Sequence, residues 1–356
     1  MSLKPSILDR HLGGALLGAA LLTAVVLLGL SGFVSFVEEL DGAERHGLGL
    51  AEVGWLTVLK LPELLFEMFP LIVLLGAILG LGGLAAGGEL VVMQAAGMPV
   101  WRIAWSAAMA GLLLGLLSLL IGDRLVPWAR AQATSVRVGS VEMTRGDLWL
   151  REGSRYVSVG QVPAAESLRS LRIFELDDAG SSLQAMETAE LAEFGPDGWQ
   201  AQDWTRELPL EDALQLERRA TTPLALDFGP DVLRLFLLRA DSLSIPGLQR
   251  YIRYLEANKL DSHRPRMEFW RKLATPLSVV AMVLIAVPFV LGPLRDTGAG
   301  QRLFVGVLLG IAFYVFNETV INLGSVYRWS PPLAALTPAI CLGLIATFRL
   351  ARHRAR

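Results

Sequence analysis

Gly88-Glu89-Leu90-Val91-Val92-Met93-Gln94-Ala95-Ala96-Gly97-Met98-Pro99 lies between two apolar runs of membrane-crossing length and is itself too short to cross a bilayer. Gly87 and Gly88 interrupt the preceding run, Glu89 sets a negative charge at the positive end of a new helix, and Pro99 lacks the N–H that a continuing helix needs. The pattern predicts a short helix outside the membrane over 88–99. Leu90, Met93 and Gly97 fall on one stripe and Val91, Ala95 and Met98 on the next, so apolar side chains appear on more than one face. Two readings are open: an interfacial connector between two membrane helices, or a docking helix whose adaptable Met and small Ala and Gly slot into another protein's groove.

The composition supports the membrane reading around this stretch. Of 356 residues 53% are hydrophobic and 19% charged, with a positive mean hydropathy, which sets the chain apart from ordinary soluble proteins. A net charge of −2 and the lack of a basic arm with interleaved aromatics exclude nucleic acid as a partner. About 20 apolar residues cross a hydrocarbon core of about 30 Å. Runs of that length are Leu12–Phe36, Met68–Ala86, Ile103–Gly122, Leu273–Gly292, Leu303–Leu323 and Pro331–Phe348. The first contains no charge and no small-x-small cleavage pattern, so it is expected to remain in the protein.

Orientation follows from Lys and Arg in the short connections. With the N-terminus inside, Lys4, Arg10, Arg102, Arg295, Arg302, Arg349, Arg352, Arg354 and Arg356 share the inner side, against Arg45, Lys60 and Arg328 outside. Both termini and the 88–99 helix are then expected in the cytoplasm, where a docking helix meets an ATPase, and the polar insertion on the far side.

That insertion changes character. Leu148-Trp149-Leu150, Arg155–Val159, Leu171–Leu176 and Gly198–Ala201 read as short strands, and Asp177–Gly180 and Gly195–Gly198 as hairpin connections. The spacing predicts one all-β domain, a sandwich or jelly-roll, over 124–240. Leu243–Ala257 reads as a helix with Ile245, Leu248, Ile252 and Leu255 on one face. The expected organisation is therefore 1–123 with three spans and the short helix, 124–240 as the β domain, and 241–356 with an interfacial helix and three more spans. The one cysteine, Cys341, lies in an apolar run, so the β domain must fold on its own core without a disulfide.

Catalytic signatures are missing. Gly80–Gly88 is glycine-rich but has no following lysine, so it is no phosphate loop and reads as close helix packing. His11, His46, His263 and His353 stand in four separate connections without metal-ligand spacing, and no Gly-x-Ser-x-Gly elbow occurs. Glu67, Glu318 and Asp123 each lie near the end of a run, where an ionisable group needs no proton-relay role. Neither enzyme activity nor a cofactor is expected of this chain.

Glu89-Leu90-Val91-Val92-Met93-Gln94-Ala95 with Gly97 resembles the coupling helix of the LptF/LptG (YjgP/YjgQ) lipopolysaccharide-export permeases, most like the family's LptG branch. The likeness extends through Leu8-Asp9-Arg10, Leu30-Ser31-Gly32, Phe69-Pro70, Ser242–Ile245 with Tyr251 and Tyr254, Trp270 with Pro276-Leu277-Ser278, and Gly292-Pro293-Leu294-Arg295. What the resemblance implies is a bacterial inner-membrane ABC permease half with six spans and a periplasmic β-jellyroll. Its implied partners are an LptF-like second permease, an LptB-like ATPase dimer, LptC-like and LptA-like periplasmic bridge proteins, and lipopolysaccharide among membrane lipids. It also implies ATPase coupling through Glu89, Leu90, Met93 and Gly97, and a lateral gate on the first and fifth spans, which here carry Phe33, Phe36, Phe313 and Phe316.

The chain departs from the family at the phosphate contact. Ser35 stands where the family has a lysine, with acidic Glu38, Glu39 and Asp41 just beyond, and Asn317 replaces an acidic residue of the fifth span. Arg124, Arg130 and Arg137, or Lys60 before the second span, are the substitute cations for the phosphates, unless they are simply solvated rim residues. Carrying one acyl chain of about 12 methylenes into water costs on the order of 10 kcal/mol, so a multi-chain lipid needs a covered route. A membrane-anchored sensor or scaffold is the competing reading, which six spans disfavour. A secondary transporter is a third, and the inverted repeats expected of one are not evident.

Overall fold

The computed structural model describes residues 7–46, 48–138, 148–164, 166–177, 182–196, 198–210, 213–226, 228–230, 233, 240–292 and 297–354. The chain divides into two compact units, 1–133 with 263–356, and 134–262.

Among the described residues, six helices of the first unit are long and apolar enough to span a membrane: α1 (Ile7–His46), α2 (Leu50–Ala86), α4 (Val100–Leu120), α7 (His263–Leu291), α8 (Ala299–Val326) and α9 (Pro331–Arg354). The short α3 (Glu89–Ala95) joins α2 to α4. All six apolar runs thus become spans. The helices exceed the runs wherever charged residues continue the helical pattern. α2 begins eighteen residues before Met68 and passes straight through Pro62 and Pro70, so Phe69-Pro70 lies within the helix and Glu67 is mid-helix rather than near an end. The third span continues past Gly122 through one π turn, Ile121–Leu125, into α5 (Val126–Val138), which carries the chain from one unit into the other.

Small residues set the helix packing, since lipid offers no hydrophobic drive for helices to associate and close backbone approach must supply it. A Cβ added at Gly76 would lie 2.5 Å from Ala20 Cα, and one at Gly80 2.6 Å from the Ala15 carbonyl oxygen, so α1 seats on α2 at these two points. Gly306 and Gly310 bring α8 onto Leu75, Ile78 and Leu71 of α2, while Gly111 and Gly115 bring α4 onto Val283 and Pro276 of α7. The core runs through Leu74, Ile78, Leu81, Ile103, Val283 and Ala286, all essentially inaccessible. α2 and α7 form the bundle's interior. α1 and α8 each give it one face.

Among its described residues the second unit holds six antiparallel strands that neighbour one another in sequence order: β1 (Leu148–Glu152), β2 (Arg155–Ala164), β3 (Ser167–Leu176), β4 (Leu183–Gly195), β5 (Gly198–Leu210) and β6 (Ala213–Leu224). Alternation turns Val157, Val159, Leu171, Ile173, Ala189 and Ala201 into one core around Trp199, whose indole N–H donates to the Phe228 carbonyl at 2.7 Å. The β4–β5 hairpin closes by pairing Gly195 with Gly198, whose φ of 104° suits glycine. Asp177 bonds across to Ser182 at 3.0 Å, and the Asp178–Gly180 connection lies outside the described residues. β4 and β6 carry too many charged and small residues to stand out in the sequence. α6 (Ile245–Ala257) falls within this unit, with Leu248 and Leu255 buried on the expected face. Ser244 caps it by accepting from the Gly247 N–H, Tyr254 donates to the Arg151 carbonyl at 3.3 Å, and burial pushes the Tyr251 hydroxyl above its ordinary range.

Candidate functional site

The short helix is entered and left through left-handed glycines, Gly88 at φ 75° and Gly97 at φ 88°. Both have open space where a Cβ would stand, so glycine serves the backbone there rather than a tight contact. One stripe turns inward: Leu90 and Met93 are buried in the same core as Leu12, Leu16, Leu81 and Ile103, and half-buried Met98 packs against it. The chain itself covers these residues. The exposed residues over 89–97 are Glu89, Val91, Val92, Ala95, Ala96 and Gly97, with Val92 68% exposed. A seven-residue segment with apolar residues all round gives no sequence signal for which stripe the bundle covers.

At the same end of the bundle lie contacts that the sequence did not reveal. His11 Nε2 is 2.7 Å from Glu89 Oε2, and Arg102 Nη2 donates to Asp9 Oδ2 at 2.7 Å. Arg302, buried at the start of α8, donates to the Gly82 carbonyl of α2. Only the placing of His11, Asp9, Arg102 and Arg302 near helix ends hinted at this. Pairs 78, 93 and 220 residues apart leave no local pattern.

The four candidate gate aromatics divide. Phe33 is 66% exposed on α1 and Phe316 43% exposed on α8, Phe36 is half-buried, and Phe313 packs against the core. Around Phe33, the outer face of α1 is bare: Leu21, Leu22, Val25, Val26 and Leu30 are all exposed. The outer face of α8 is the same, with Phe304, Leu308, Ile311 and Val315. Ser35 is buried, so this position is turned away from any headgroup on that face.

The candidate cations have acidic neighbours. Arg130 forms a two-pronged ion pair with Glu63, its Nε at 2.8 Å, and Lys60 reaches Glu38 at 3.2 Å. Arg124 projects into the open, its side chain 86% exposed and 3.8 Å from Asp123. The side chain of Arg137 lies outside the described residues.

A cavity of about 60 Å³ within the bundle is lined by Glu67, Arg271, Thr275, Ser278, Phe313 and Asn317. There Arg271 of α7 donates to Glu318 of α8 at 2.8 Å. Near it, buried Lys272 donates to the Gly122 carbonyl at 2.9 Å, in the π turn where an α-helical partner is displaced. Groups that the sequence sets near span ends thus form a polar joint inside the bundle.

Comparison with known proteins places the whole chain beside one family. A model of the lipopolysaccharide export system permease family LptF/LptG matches residues 10–352. The lipopolysaccharide export system permease protein LptG of Escherichia coli strain K12 is 33% identical over 355 residues, 97% of this chain and 98% of that protein. The protein of the same name from Haemophilus influenzae strain Rd is 30% identical over 354 residues, 98% of this chain and 99% of that protein.

Proposed function

The chain belongs to the LptF/LptG family of lipopolysaccharide export permeases, and from that membership we propose how its geometry works in a transporter. It is a multi-pass inner-membrane permease subunit with no catalytic site of its own. It acts as the LptG-type half of an ABC transporter, paired with an LptF-like permease and driven by an LptB-like ATPase dimer. Lipopolysaccharide leaves the inner membrane through this pair and passes to LptC-like and LptA-like bridge proteins. The single observation that carries the reading is the pair of bare faces: α1 and α8 both seat on α2 by one side and leave long apolar surfaces outward. Contiguous exposed apolar surface of this extent suits lipid and a second membrane subunit.

Within this reading, Phe33 and Phe316, backed by Phe36 and Phe313, line the lipid's way in. Their exposed rings meet acyl chains, and closing the route over those chains offsets the cost of wetting them. The short helix offers Val91, Val92, Ala95 and Ala96 to the ATPase, with Glu89 at its edge and Gly97 giving the turn; Leu90 and Met93 anchor the helix from behind. Arg124 is the cation best exposed to a phosphate, while Arg130 and Lys60 would contribute by exchanging Glu63 and Glu38 for phosphate oxygens.

Both termini and α3 are assigned to the cytoplasm and the β unit to the periplasm, on the bias of Lys and Arg. Single cysteines at Ser167 and Ser182, in a Cys341→Ser background, are expected to react with an impermeant maleimide in intact spheroplasts; reaction only after lysis would reverse the orientation. The functional test is co-purification with mass spectrometry of proteins and lipid. An ATPase, a second permease and bound lipopolysaccharide are expected, and recovery of the chain alone from a gentle detergent would refute the reading.

A further inference from the structure

The first span is fastened at one end to both sides of the α3 turn. His11 and Asp9 stand on the first turns of α1, Glu89 opens α3, and Arg102 opens α4. His11 meets Glu89 and Asp9 meets Arg102, each at 2.7 Å, so the two contacts bracket the segment from 89 to 102. The Asp9 carboxylate is only 20% exposed, and beneath it Leu12 and Leu16 share one core with Leu90 and Met93. Apolar packing with two polar fasteners above it moves as one piece, because packed side chains deform little. Toward its other end α1 is the opposite, with Leu21 to Phe33 largely bare on the outer face.

From this juxtaposition we propose that Asp9–Arg102, supported by His11–Glu89, is a tether that passes displacement of the ATPase-facing α3 turn directly to α1, making Asp9 and Arg102 positioning residues for transport. The proposal deepens the reading of α3 as the ATPase contact and α1 as a gate helix, and rests on it. The geometry suits a lever. α1 runs from Ile7 to His46 without a proline, and its tightest seat on α2 lies between Ala15 and Ala20, against Gly80 and Gly76. At a rise of 1.5 Å per residue Asp9 is roughly 13 Å from the middle of that fulcrum and Phe36 roughly 28 Å beyond it. A small shift at the tether therefore becomes about twice as large at the gate aromatics. Without the tether, α3 would act on α1 through the apolar packing at Leu12 and Leu16, close to the fulcrum, where leverage is least.

The test uses the complete complex of this chain with its second permease and ATPase in proteoliposomes, following lipopolysaccharide release and ATP hydrolysis together. Asp9→Arg and Arg102→Asp are each expected to keep the ATPase bound and hydrolysing while release falls at least about fivefold, the lower range of inter-site coupling. The exchanged pair Asp9→Arg with Arg102→Asp should recover most of the release. As a second arm that spares the fold, Asp9→Cys with Arg102→Cys, in a Cys341→Ser background, should release poorly when unlinked and recover once a short bis-maleimide joins the two thiols. Normal release by the single reversals, an exchanged pair as deficient as either one, or a linked pair that stays inactive would each overturn the tether. Failure of the unaltered complex to bind ATPase or release lipid would instead strike the functional reading beneath it.

Discussion

α1 and α2 are almost equally apolar, yet of their most apolar eighteen-residue stretches 17% of α1 is buried against 50% of α2. The same contrast separates α8, at 28%, from α7, at 61%. Hydropathy registers that a helix avoids water and is blind to whether lipid, a partner or the same chain covers it. Glycine placement is more telling. Gly76 and Gly80 on α2 meet Ala20 and Ala15 of α1, whereas Gly29 on the outer part of α1 has open space where a Cβ would stand. Where small residues meet a neighbour the bundle is closed; at Gly29 the surface of α1 stays open.

The contrast can be broken by substitution. The largest effect is expected from Leu90→Asp, which places a carboxylate in the core beneath α3 and should cost about 3 kcal/mol or more, read as lost expression or early thermal unfolding in detergent. Val92→Asp, two residues on and exposed, should leave unfolding in place and lower ATPase co-purification instead. If both behave alike, the inward and outward faces of α3 have been misassigned. Next comes Gly76→Leu, expected to destabilise by about 1–3 kcal/mol through overpacking on Ala20, while Gly29→Leu changes stability by less than about 0.5 kcal/mol.

Smaller again is the join between α7 and α8. A double-mutant cycle of Arg271→Ala and Glu318→Ala should give a coupling energy of about 1 kcal/mol, moderate because both side chains retain some solvent. Additive losses would mean that this pair does not hold α8. The smallest effect on stability belongs to Arg124→Glu, within about 0.5 kcal/mol for so exposed a group. Its signature should be weaker photocrosslinking to lipopolysaccharide with basal ATP hydrolysis intact. Reversal at Arg130 should both destabilise, by stranding Glu63, and weaken crosslinking.

Much of the architecture was legible because its signals are local. Six apolar runs, the Gly88-Glu89 start of α3, and the alternation in β2 and β3 each follow from neighbours a few positions apart. α3 itself stops earlier than Pro99, at Ala95 before left-handed Gly97, and Pro99 caps α4. What stayed hidden depends on distant partners. Glu67 follows a mixed stretch in which Lys60, Glu63 and Glu67 dilute the apolar run, so a continuous α2 looks from the sequence like a loop and a shorter span. Arg130 and Lys60 look like free cations until the fold brings Glu63 and Glu38 to them. Ser35 looks like a lost contact and is in fact a buried residue. The tether at Asp9 and His11 belongs to the same class, since ordinary charges at a helix start acquire meaning only from what the fold sets opposite.

The bare faces of α1 and α8 are the centre of this account, and photocrosslinking tests them most directly. A photoreactive amino acid is placed singly at Phe33, at Phe316 and, as a control, at Trp105, an equally exposed aromatic on α4. In the assembled transporter supplied with ATP, positions 33 and 316 are expected to capture lipopolysaccharide and position 105 to capture bulk phospholipid alone. Capture of lipopolysaccharide from position 105 as strongly as from 33 and 316, or from none of the three, would contradict it.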